Sequence, residues 1–188
     1  MKHKIRIAIL SCYYKLKYCK SLSLSGFHNL AFDTSISITN KGNIFIDKRM
    51  TTYRGVSISV NGGTLFIGHD VFFNRNCNIV SQDRIDIGNN CIFGPNVVIV
   101  DHDHVFDVSG VRREKFNRKP IIIEDNCWIG ANAVILRGAI IGEGSIVGAG
   151  TVIKGKIPKH SLVTGERTMR IQDIENRCQV MKSQGGKG

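Results

Sequence analysis

The stretch Ile121–Ile153, IIIEDNCWIGANAVILRGAIIGEGSIVGAGTVI, repeats itself every six residues. From Ile123, steps of six land on Ile129, Ile135, Ile141, Val147 and Ile153, all β-branched aliphatics. Upstream the same step gives Ile67, Phe73, Ile79 and Ile85, then, after an offset of two, Ile87, Phe93 and Ile99. Glycine often follows the anchor (Gly68, Gly88, Gly94, Gly130, Gly142, Gly148). Four residues after each anchor the side chain is small or β-branched: Val71, Cys77, Cys91, Val97, Cys127, Ala133, Ala139, Ser145, Thr151. A period of six suits neither a helix (3.6) nor simple strand alternation (2). It suits a three-sided coil in which each hexapeptide supplies one short strand and one corner, with about 18 residues per turn. The anchor points inward, the small residue shares that interior, and glycine relieves the corner backbone.

Around this core, residues 24–60 read as looser first coils through Ile36, Ile38, Ile44, Ile46, Val56, Ile58 and Val60. Ile87 plus one coil is position 105, yet the next well-marked coil starts at Ile123. The excess places a projecting loop at about 101–119 (DHDHVFDVSGVRREKFNRK), and long loops on rigid scaffolds are where function concentrates. After Val163 the anchors stop; a C-terminal helix or arm and a disordered tail are expected over 165–188. The expected division is thus a basic segment 1–23, a β-helix 24–164 and the C-terminal arm.

The chain has 188 residues, 42% apolar and 22% charged, enough for a packed core and unlike a disordered chain. No apolar run approaches the roughly 20 residues that cross a bilayer, and the N-terminus lacks the pattern of a secretory signal. Net charge is +11, unevenly spread. Lys2, Lys4, Arg6, Lys15, Lys17 and Lys20 all precede the first acid, Asp33, and residues 112–119 carry a further basic cluster. The first twenty residues read either as a solvated basic segment or as an interfacial helix, which leaves peripheral membrane association open. Nucleic acid is not expected as a partner, because no aromatic stacking platform interleaves the basic residues. Cys77, Cys91 and Cys127 occupy the interior slot, and no zinc spacing occurs, so a reduced, cytoplasmic protein is expected, with a place at the inner face of the membrane left open.

Taken together, NRNC at 74–77, IGNNCIFGPN at 87–96, DHDH at 101–104, KPIIIEDNCWIG at 119–130 and GAGTVIK at 148–154 resemble the hexapeptide-repeat acyltransferases. Within these the chain is most similar to the maltose and galactoside O-acetyltransferases and to relatives that acetylate bacterial surface polysaccharides. The resemblance spans about residues 60–165 and implies an all-β fold, a left-handed parallel β-helix solenoid. It implies acetyl-CoA as acyl donor, no metal, a sugar or glycan acceptor, and a homotrimer with active sites between subunits. Residue by residue, His104, thirteen positions after Cys91, matches the catalytic histidine. Asn74 matches the acceptor-binding asparagine, and Trp128 to Ala131 border the thioester. Ala149 matches a main-chain contact to coenzyme A. Lys154 and Gly155 fall on a cofactor-binding pair, with Lys156 following, so either lysine is a candidate for that contact. Arg167 and Arg170, in GERTMR at 165–170, are the candidates for further phosphate contacts. The helical cap that precedes the first coil in the maltose and galactoside enzymes has no clear counterpart.

The chemistry so implied is acetyl transfer to a hydroxyl, with His104 as general base and the amides of Gly130–Ala131 receiving the oxyanion. Asp101 and Asp103 would orient the imidazole or form turns; His102 reads as surface or supporting. The competing readings are a solvated loop histidine at 104, a corner asparagine at 74 and a packing tryptophan at 128. At the level of the whole chain they are a non-catalytic binding solenoid, or a zinc enzyme resembling the γ-class carbonic anhydrases, for which His102 and His104 stand too close in sequence and His69 would have to supply a third ligand.

Overall fold

The computed structural model describes residues 2–165, with side chains described from Leu10 onward. Its contacts form two units: a solenoid running to His102 and resuming from Arg118 to Gly165, and a unit that contains residues 103–117.

In the solenoid the six-residue period becomes three parallel sheets of seven, six and six strands. The first face stacks Leu24, Ile46, Ile67, Ile87, Ile123, Ile141 and Ile157 in register. The second stacks Thr52, Phe73, Phe93, Ile129, Val147 and Val163. The third stacks Ile36, Ile58, Ile79, Ile99, Ile135 and Ile153. Nearly every anchor is buried, as are all nine small residues of the slot four positions later. Each coil therefore rests its aliphatic layer on the layer below; Phe73 and Phe93, for example, stack with centroids 4.7 Å apart. The expected parallel β-helix is present.

Three features differ from the sequence reading. The offset of two between Ile85 and Ile87 is one strand, Arg84–Ile87, with both isoleucines inward. Because strand side chains alternate, two added residues lengthen a face without turning it over, which makes the early coils longer than the later ones. Second, the glycines after the anchors do not relieve the corner backbone, since none of the six has positive φ. They admit the next coil: a Cβ on Gly94 would stand 2.7 Å from the Ala131 nitrogen, and one on Gly130 2.7 Å from that of Ala149. The left-handed corner residues come two positions later, at Asp70, Asn76, Asn90, Asn96, Asn126 and Asn132, side chains that tolerate positive φ. Asparagines at one corner bond in a ladder, Asn76 to Asn96 at 3.2 Å and Asn96 to Asn132 at 3.1 Å.

Third, the basic N-terminal segment is a 16-residue helix, α1 (Lys2–Lys17). It contains no glycine or proline and ends with Lys15 and Lys17, favourable charges near a helix C-terminus. Tyr14, buried, donates its hydroxyl hydrogen to the Thr34 carbonyl at 2.9 Å and accepts the Ile36 N–H at 3.1 Å. Tyr18 adds a longer bond to the Ile36 carbonyl at 3.3 Å. Ser35–Thr39 is the edge strand of the third face, so the helix occupies backbone groups that would otherwise template a further strand. A helical cap thus precedes the regular coils after all.

The projecting segment is a β-hairpin rather than an irregular loop, with strands His102–Asp107 and Gly110–Arg118. At its base the Lys119 N–H donates to the Asp101 carbonyl at 3.0 Å. The expected C-terminal arm and tail, with Arg167 and Arg170, lie outside the described residues.

Candidate active site

The corner between the second and third faces carries three of the residues singled out from the sequence. After each second-face anchor the first corner position holds Tyr53, Asn74, Gly94, Gly130 and Gly148 on successive coils, and the next holds Arg54, Arg75, Pro95, Ala131 and Ala149. Asn74 is half-buried. Its Oδ1 accepts the Arg75 N–H at 2.8 Å, leaving its Nδ2 without a partner among the described residues.

At the other anchor corner, between the first and second faces, several of the N–H groups equivalent to that second column are taken up by side chains, while those of Asp125 and Lys159 have no acceptor among the described residues. His69 donates to Asn89 Oδ1 at 3.0 Å, Asn89 to Asp125 Oδ1 at 2.8 Å, and Glu143 to Glu124 Oε2 at 3.0 Å. Beside Ala131 and Ala149 there is no such side chain, and among the described residues neither N–H has an acceptor. Gly130 is different: its N–H is committed to the Val147 carbonyl at 2.7 Å. Of the two amides expected to receive an oxyanion, only Ala131 is available.

Trp128 lies outside the core. It stands on the outer side of the second face, 52% exposed, in register between Ile92 and Ile146, both also exposed. Lys154 and Gly155 form a two-residue corner between the third and first faces, where Gly155 takes φ +96°, and Lys156 begins the next strand. Both lysines are exposed, so the fold favours neither, and they occupy a different corner from Ala131 and Ala149.

His104 is exposed on the first hairpin strand, its ring 4.6 Å from that of Phe116 on the paired strand. Asp101 does not orient it. That carboxylate is fully buried and accepts from Ser81 Oγ, the Gln82 and Asp83 N–H groups and His102 Nδ1, at 2.8–3.1 Å. His102 is therefore no surface residue. Gln82 turns its Oε1 to Arg118 and its Nε2 to His102 Nε2 at 3.1 Å, so both ring nitrogens of His102 are engaged within the protein. The described residues contain no cluster of three or more metal-ligating side chains. Nothing in DHDH distinguishes the clamp histidine from the exposed one; a buried Ser-Gln-Asp turn one coil below was the missing partner.

The thiols are interior. Burial pushes the Cys77 thiol up to about 11. The Cys91 thiol is pushed up by its hydrogen bond to Cys127 and then by burial. Cys91 and Cys127 are both fully buried, and such groups are inert as nucleophiles.

These features define the class: a parallel β-solenoid of hexapeptide repeats, similar to the hexapeptide-repeat acyltransferases, as the motifs imply. Residues 120–154 match the family described as "Hexapeptide repeat of succinyl-transferase". Among individual proteins, the likeness is to sugar O-acetyltransferases. The galactoside O-acetyltransferase of Lactococcus lactis is 32% identical over 108 residues, 57% of this chain and 52% of the relative. That of Escherichia coli is 31% identical over 116 residues, 62% and 57% respectively. The chain thus spans little more than half the length of these relatives. A Vibrio cholerae hexapeptide-repeat acetyltransferase, solved in complex with acetyl coenzyme A, shares the fold: TM-score 0.55 at 21% identity, covering 92% of this chain and 87% of that one.

Proposed function

We propose that the protein is an acetyl-CoA-dependent O-acetyltransferase that transfers an acetyl group to a sugar hydroxyl, on a bacterial surface polysaccharide or its precursor. The observation that carries this reading is the pair of amides, Ala131 and Ala149, that have no acceptor among the described residues and stand beside small, uncharged side chains on one corner. An exposed backbone donor on a rigid coil is suited to an oxygen that gains charge during reaction.

In the proposed reaction, neutral His104 takes the proton of the acceptor hydroxyl as its oxygen bonds to the thioester carbonyl carbon. The carbonyl oxygen, now an oxyanion, accepts from the Ala131 N–H. The C–S bond then breaks, and His104 returns the proton to the leaving thiolate, giving O-acetyl sugar and free coenzyme A. Asn74, with Nδ2 uncommitted, binds the acceptor; Trp128 walls the donor; and Ala149, Gly155 and either Lys154 or Lys156 hold the coenzyme.

A homotrimer with sites between subunits belongs to the same proposal. It is supported by the exposed row Ile92, Trp128, Ile146 and Leu162 along a flat face, and by the separation of the lysine corner from the alanine corner within one chain. So does a position at the inner face of a membrane, supported by exposed Tyr13 and Leu16 beside Lys15 and Lys17 on α1. No helix among the described residues is long and apolar enough to cross a membrane.

The test is release of free thiol from acetyl-CoA with a panel of glycans, wild type beside His104→Ala. A general base contributes about 10²–10⁴-fold; a loss of under about tenfold contradicts the assignment.

A further inference from the structure

The second–third corner changes character along the solenoid. Toward the C-terminal coils its outer column is Pro95, Ala131 and Ala149, small and uncharged. Toward the N-terminal coils it is Arg54 and Arg75, on successive coils joined where the Asn76 N–H donates to the Arg54 carbonyl at 3.0 Å. The two arginines line a groove of about 270 Å³ with Asn29, Ala31, Thr52 and Tyr53. They also line a second groove, of about 330 Å³, with Asp33, Gly55 and Asn76. Asp33 is the one carboxylate lining either groove. It reaches Arg54 through a single contact of 3.4 Å, and Arg54 otherwise lies over the Phe32 ring, 5.2 Å from its centroid. The Arg75 side chain is exposed, and its guanidinium has neither an ion-pair nor a hydrogen-bond partner among the described residues.

Two guanidinium groups on adjacent coils repel, and elsewhere on this solenoid exposed arginines are neutralised: Arg49 by Asp70, Arg84 by Asp86. The Arg75 guanidinium is thus left with no counter-charge among the described residues, and its planar fork matches carboxylate and phosphate oxygens. Arg75 immediately follows Asn74, the residue assigned to the acceptor. We propose that the acceptor is anionic: a sugar bearing a carboxylate or a phosphate, gripped by Arg75 with Arg54 while Asn74 holds the part that carries the reacting hydroxyl. This rests on the acetyltransferase reading for what happens at the hydroxyl, but the anion site itself does not.

The test is direct binding by calorimetry, with three probes: a hexuronic acid oligosaccharide, the same oligosaccharide with its carboxyl groups reduced, and a nucleoside diphosphate hexose. The proteins are wild type, Arg75→Gln, and Arg84→Gln as a control of equal net charge on another face, each checked for an unchanged melting transition. The expected result is that one charged probe binds at least tenfold more tightly than the reduced one, a preference lost in Arg75→Gln and kept in Arg84→Gln. Whether the hexuronate or the diphosphate shows it identifies the source of the anion. Equal binding of charged and reduced probes, equal effects of the two substitutions, or no binding of any probe overturns the proposal. Thiol release from acetyl-CoA is measured in parallel. Charge-selective binding without thiol release defeats the transferase reading and leaves the anion site standing; transfer to neutral sugars without charge preference does the reverse.

Discussion

Two corners of the solenoid follow the same backbone path and differ in what completes it. Between the first and second faces, the amides of His69, Asn89 and Glu143 are closed by Asn89, Asp125 and Glu124, and charges are paired, as in Arg49–Asp70 and Lys159–Glu143. Between the second and third, the amides of Ala131 and Ala149 stay open and the Arg75 guanidinium is unpaired among the described residues. The coil geometry is common to both, so it does not make a site. What differs is the side chains around the open amides: small and uncharged beside Ala131 and Ala149, charged at the other corner.

The sharpest way to break this comparison is to remove an open amide without disturbing the coil. Pro95 already occupies, after Gly94, the position that Ala131 occupies after Gly130, so the backbone there accepts proline. Ala131→Pro deletes one N–H. The expected loss in kcat is about 10²–10³-fold, with a melting temperature close to wild type by scanning calorimetry; full activity would show that the open amide is incidental. Gly94→Ala acts on the same corner through packing, since its Cβ would meet the Ala131 nitrogen at 2.7 Å. Overpacking of this kind costs about 1–3 kcal/mol, read as a lower denaturation midpoint. At the closed corner, Asp125→Ala strands the Asn89 N–H and its side-chain amide. It should cost about 1–3 kcal/mol of stability and leave kcat/KM unchanged; a large loss of activity would erase the distinction between the corners.

The smallest effect expected is on acid stability. His28 is buried with both ring nitrogens unpartnered among the described residues. Burial lowers its pKa, helped by Lys15 of α1 and opposed by Asp47 and by the nearby Ser25 backbone. A folded pKa below the unfolded value means that the unfolded chain takes up the proton first. Stability is therefore full above about pH 6.5, the ordinary histidine value, and declines below it until the folded pKa is reached. His28→Phe should flatten that decline in pH-dependent melting; an unchanged slope would assign acid sensitivity elsewhere.

How far sequence could reach follows from the same contrast. Ile123 through Ile153 fixes the period and the inward layer, because one-dimensional spacing maps directly onto a coil. The shift at Ile85–Ile87 was visible only as an offset, since strand length is a property of the face. The glycines were located correctly and explained wrongly: the reason for Gly94 lies 37 residues away, at Ala131. A helix over the first twenty residues is one of the two readings the sequence allows, but its anchoring is not legible there, because it depends on Tyr14 meeting the edge at Thr34 and Ile36. In DHDH, spacing singled out His104, but only the fold separates it from His102, which Asp101 holds. The open amide of Ala131 is a backbone property that no side-chain motif records.

The most direct measurement is a crystal structure of the protein with acetyl-CoA. The thioester oxygen should lie about 3 Å from the Ala131 nitrogen, with the rest of the coenzyme running past Ala149. A thioester seated at the corner of Asn89 and Asp125, with the Ala131 N–H left to solvent, would contradict the account.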